Sequence, residues 1–229
     1  MSKRLFAAAL LPILLALFGC TKNNSQVLLQ KITDEEVNYD DNVVPINWDS
    51  LDLNVLDDDL AKDLVQAINN ANKYAVNTWW TQVKNFDKQQ DEEYLSIGGK
   101  SEGVIRSISE MARLLAVSLK LNIYDEGITN VPAEEAKTMM MKLVKSLAKA
   151  HLANTEDGWG AQWQSAFWAA DVGFSGWLFW EDFDAEDQER IKKVVVHEAN
   201  RFISYDVPYY MDKKGNIIFK GDTKAEENA

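Results

Sequence analysis

The sequence is short of the residues that most often carry chemistry. It has one cysteine, so no disulfide can close within the chain and the fold must stand on its core. Only two histidines are present, His151 and His197. A zinc site or a cysteine–histidine nucleophile pair therefore lacks its raw material, and we expect neither metal nor cofactor. His197-Glu198-Ala199-Asn200-Arg201 misses the second histidine of a zinc-binding helix. Gly98-Gly99-Lys100-Ser101 misses the first glycine of a phosphate loop, and no strand precedes it. Four prolines and eleven glycines in 229 residues are few, which favours helices over a fold of many turns. Basic residues are also in deficit, 24 against 36 acidic. A surface of that sign repels phosphate backbones and argues against nucleic acid as a partner.

The longest apolar run is Leu5–Phe18, broken only by Pro12 and preceded by Lys3 and Arg4. It is too short to span a bilayer, which takes about 20 apolar residues, and it fits a secretory signal. It ends Leu17-Phe18-Gly19-Cys20, which resembles the bacterial lipobox. The resemblance implies cleavage after residue 19 and acylation of Cys20, so a cell-envelope protein held to the membrane by lipid. Thr21 is not the aspartate of an inner-membrane retention signal, which favours the outer membrane. Cleavage would remove Lys3 and Arg4 and no acid, leaving the mature chain at −14. Residues 20–59 read as a lipidated tether and an irregular acidic segment, and 60–229 as the folded domain.

Within that domain the apolar periodicity is helical. Leu60, Leu64, Ile68, Ala71 and Ala75 predict a helix over 60–84, with Asp57-Asp58-Asp59 as its cap rather than a calcium site. Polar residues 85–100 read as a loop. A second helix runs from Ser101 to about Asn122, and a third starts near Pro132, where the Met139-Met140-Met141 run fills core. The fourth, 161–180, is apolar almost all round and should be the most enclosed. The fifth runs over 185–204. Val207–Met211 and Asn216–Phe219 flank Asp212-Lys213-Lys214-Gly215, a β-hairpin signal near 207–219. Thr223-x-x-Glu226 is a capping box, which announces a sixth helix and an architecture that continues past Ala229.

Eight tryptophans are many, and five lie between Trp159 and Trp180. The stretch Trp163-Gln164-Ser165-Ala166-Phe167-Trp168-Ala169-Ala170, with Trp177-Leu178-Phe179-Trp180 and Val196-His197-Glu198-Ala199-Asn200-Arg201-Phe202, resembles the helical hairpins of polysaccharide lyases and six-hairpin glycosidases. The resemblance spans about residues 60–229. It implies an all-α fold of antiparallel hairpins in an incomplete (α/α) toroid, acting on or binding polysaccharide. It carries over no catalytic residue.

The candidate site residues come from helical geometry. At 100° per residue, Gln164, Trp168, Asp171 and Ser175 share a stripe of the fourth helix. A flat ring among polar groups suits a sugar, though the stripe could simply face solvent or a neighbouring helix. Trp163 falls on the packed side. On the fifth helix, Glu198 sits amid the apolar face of Ile191, Val195 and Phe202. A carboxylate there must be paired or protonated: a general acid or base, with Asp171 as the second catalytic candidate, or a structural ion pair with a basic residue of another helix, or a helix cap. Two functions remain open, a lyase or hydrolase and a non-catalytic lipoprotein that binds glycan or a partner protein. The oligomeric state is not legible.

Overall fold

The chain divides into two units, Met1–Leu51 and Asp52–Ala229. The computed structural model describes residues 48, 58–162, 164–200, 209, 214 and 216–218. The expected signal segment, Cys20, Trp163 and the expected capping box lie outside them, as does all but a few residues of the expected β-hairpin. Among the described residues of the second unit the structure is helical. None of its helices is long and apolar enough to cross a membrane.

Helix α1 is Asp59–Lys73, and Asp58 caps it by accepting from the Ala61 N–H at 2.8 Å. The rod does not end at Lys73. It widens into a π-helix over Tyr74–Val83, closed by Lys84 N–H donating to the Trp79 carbonyl five residues back. The widened turns bury Ala75, Val76, Trp79 and Trp80. Asn85 then takes a left-handed conformation and turns the chain, and Phe86 meets both tryptophan rings edge-on at 5.7 and 5.3 Å. The helix predicted over 60–84 is thus present, but its second half is not α.

Helix α2 is Glu102–Lys120, burying Ile105, Ile108, Ala112, Leu115 and Ala116. A four-residue helix, α3 (Glu126–Thr129), follows, capped by Asp125. Helix α4 is Ala133–Lys149, α5 is Ser165–Leu178 and α6 is Ala185–Ala199. Pro132 stands just outside α4 as its cap, where its missing N–H costs nothing. Gln164 caps α5 rather than opening its first turn, so the fourth predicted helix starts four residues late.

The contacts fix the directions. Arg106 meets Gln164, Ser109 meets Asp171, and Lys120 lies 5.4 Å from the Phe179 ring, so α2 and α5 run parallel. Lys137 reaches the same ring at 5.5 Å, which sets the start of α4 beside the end of α2, antiparallel. Ser165 meets Glu198 at one end and Gln188 meets Trp180 at the other, so α5 and α6 are antiparallel. Lys145 pairs with Asp187 and His151 with Glu198, so α4 and α6 run the same way. Two antiparallel hairpins, α2/α4 and α5/α6, therefore lie side by side with like helices in register. Helix α1 packs on α2 and α3. Between α5 and α6 the backbones come close: a Cβ on Gly173 would stand 2.6 Å from Val195 Cγ2.

Candidate binding groove

Helix α5 touches α2, α4 and α6, yet it is not sheathed. Phe167, Phe174 and Trp177 stand 41–44% exposed along one side. The polar stripe is the side that turns inward. Asp171 is 2% exposed; its Oδ1 accepts from Arg113 Nη1 at 3.1 Å and its Oδ2 from Ser109 Oγ at 3.2 Å, both from α2. Ser175 is fully buried and donates to the Asp171 carbonyl at 2.7 Å. Trp168 is fully buried against Trp159, ring centroids 6.3 Å apart. This corrects the reading of Trp168 and Ser175 as sugar contacts, since neither presents a surface to a polymer. Gln164, at the head of α5, is bound by Arg106. The reason is the pairing with α2. A helix apolar on nearly every side must bury one face and expose another, and the Asp171–Arg113 bond decides which.

Beside that bond an open groove of about 370 Å³ remains. Helix α1 contributes Ile68, α2 contributes Glu110, Arg113, Leu114 and Val117, and α5 contributes Phe167 and Asp171. Of the stripe, only Asp171 reaches it. Arg113 is half exposed and spans the wall, its guanidinium 5.8 Å from the Phe174 ring. Burial raises the Asp171 pKa above the usual carboxylate value, and the Arg113 hydrogen bond and charge only partly oppose it. A half-exposed ring, a guanidinium and a carboxylate around an apolar floor is the composition of a small-ligand cleft. Sequence reasoning missed Arg113, Glu110 and Phe167. Arg113 could have been found as a cation on the α2 stripe, but only by knowing that α2 and α5 are neighbours.

No protein family, no curated protein and no solved structure matches the chain.

Glu198 occupies a different environment. It is 4% exposed beside buried Ile191 and Val194, while Val195, expected on the same apolar face, is 44% exposed and Phe202 lies outside the described residues. His151 Nε2 lies 3.1 Å from its Oε1, Ser165 Oγ lies 3.2 Å from its Oε2, and His197 Nε2 stands 4.0 Å away. Ala153 N–H donates to His151 Nδ1 at 3.0 Å, so that nitrogen is an acceptor and the proton sits on Nε2, facing the carboxylate. His151 is fully buried, with Trp159 edge-on at 4.5 Å. Trp159 in turn donates to the Leu147 carbonyl at 2.9 Å, which satisfies one of the open carbonyls at the end of α4. The cluster thus ties the 150–164 loop to the end of α6. Ser165 bonds the carboxylate rather than the imidazole, which is not the nucleophile–base order of a hydrolytic triad. Asp171 is held from α2, and Glu198 by His151 of the 150–164 loop and Ser165 at the start of α5. Among the described residues no group of His, Cys, Asp and Glu could hold a metal ion.

Proposed function

We propose that this protein is an envelope lipoprotein, anchored through Cys20, that binds polysaccharide in the groove between α1, α2 and α5. The groove itself carries this reading: Phe167 offers a face for a pyranose ring, while Arg113 and Glu110 offer groups for its hydroxyls. Both candidate catalytic carboxylates, Asp171 and Glu198, are buried and committed to partners, which favours binding over cleavage. Two side-by-side hairpins with like helices parallel support the toroid architecture, because that arrangement repeats around such a ring. Binding of soluble glycans to the full chain in detergent tests the groove. Phe167→Ala should cost about 1–3 kcal/mol of affinity, as for a truncated aromatic anchor. Parental affinity of Phe167→Ala for every glycan that binds would rule the groove out. Metabolic labelling with a fatty acid tests the anchor: Cys20→Ala should not label.

One observation favours a second reading, a partner protein. Phe174 and Trp177 on α5 and Val195 and Val196 on α6 are exposed together, and Gly173 lies against Val195 between them. A Trp177→Ser change that abolishes a co-purifying protein and leaves glycan binding intact would support that reading.

A further inference from the structure

The charge of the groove sets what kind of polysaccharide it can take. Three ionisable side chains line it: the carboxyls of Glu110 and Asp171 and the guanidinium of Arg113. Arg113 is committed to Asp171 through Nη1 at 3.1 Å, so its charge is already met inside the wall. Glu110 stands exposed on α2, one turn before Arg113. The local balance is therefore negative, and it sits on a chain whose formal net charge is −12. An anionic polymer would bring a carboxylate or sulfate on every unit against this surface, with no free cation in the lining to receive it. A neutral sugar brings hydroxyls, which donate to carboxylate oxygens and accept from the guanidinium's remaining N–H groups. We propose that the groove is selective for neutral sugar units and discriminates against uronate-bearing or sulfated chains, a refinement that rests on the glycan-binding reading above.

The test is a competition at low salt between a neutral β-linked glucan or xylan and polygalacturonate of matched length. It uses the full chain in a detergent that carries no sugar. The neutral polymer should bind at least about tenfold tighter, because like charges brought together weaken association. The ratio should shrink as salt rises, since exposed charges are screened beyond about 10 Å at 0.1 M. Glu110→Gln should shrink it as well. Equal or tighter binding of polygalacturonate overturns the selectivity while leaving the groove as a glycan site. A ratio that responds to neither salt nor Glu110→Gln overturns it too. If neither polymer binds, the glycan reading falls and this inference falls with it.

Discussion

Phe167 and Trp168 are neighbours in sequence on α5, and the structure gives them opposite fates. Phe167 is half exposed on the groove; Trp168 is fully buried. Replacing a buried tryptophan by alanine costs about 3–5 kcal/mol in lost transfer energy and cavity formation. One term works the other way. The Trp168 Nε1–H is buried without a hydrogen-bond partner, and such an orphan costs the native state about 1–3 kcal/mol. Alanine removes that penalty together with the ring, so the expected loss is about 3 kcal/mol, the low end of the range. For a domain of this size each kcal/mol moves the melting temperature by about 2–4 °C, which makes the shift roughly 6–12 °C. Trp168→Phe keeps most of the packing and discards the orphan donor, so it should melt well above Trp168→Ala. Phe167→Ala should lie within about 1 kcal/mol of the parent, since the ring was never fully removed from water. Thermal unfolding followed by circular dichroism reads all three. Trp168→Ala melting with the parent while Phe167→Ala collapses would mean that α5 is turned the other way, and the groove would go with it.

Asp171 should make stability depend on pH. Its folded pKa is raised, so its contribution is fully present below the ordinary carboxylate pKa and is lost as pH rises through the folded value. Asp171→Asn should lack that component, so its melting temperature should gain on the parent's from acid to neutral pH; parallel profiles would refute the burial argument. Glu198→Gln keeps the shape but turns an amide NH₂ toward either His151 Nε2–H or Ser165 O–H, both donors. A loss of about 1–3 kcal/mol in chemical denaturation is expected, and no loss would mean that the carboxylate is not the acceptor these groups share. Gly158→Ala would put a Cβ 2.5 Å from the Ala150 carbonyl oxygen and 2.6 Å from Leu152 N, backbone atoms that cannot swing aside. It should cost about 1–3 kcal/mol and loosen the 150–164 loop, seen as faster amide exchange at Leu152; unchanged exchange would refute it.

The helices were legible because their signals are local. The stripes of α2 and α4 and the acidic cap at Asp58 are each written within a few turns. What the sequence did not show depends on partners. Helix α5 carries apolar residues on nearly every side, so periodicity could name its polar stripe but not the stripe's direction. Arg113, 58 residues earlier, settles that. Glu198 was legible as a buried carboxylate from α6 alone, whereas its partners His151 and Ser165 come from either side of an irregular loop that no repeat could place. The π-helical stretch was invisible for another reason: Leu60, Leu64, Ile68, Ala71 and Ala75 all precede it or lie at its edge, and the tryptophans beyond fit either winding.

That π-helical stretch has a consequence for how the chain tolerates insertion and deletion. Ten residues of wider winding, Tyr74–Val83, hold Trp79 and Trp80 on one buried face together. Removing one residue from this stretch need not break the rod, because the backbone can tighten to α. It would leave the chain downstream nearly in phase, because a turn closed five residues back tightens to one closed four back when a residue is lost. Phe86 and the residues after it would keep their faces, and the change would fall on the side chains within the tightened turn. In α2 or α4, by contrast, a lost residue can be absorbed only by shifting or breaking a uniformly wound rod. The wide turns are thus where the length of this chain can be altered with the backbone intact and the downstream faces kept.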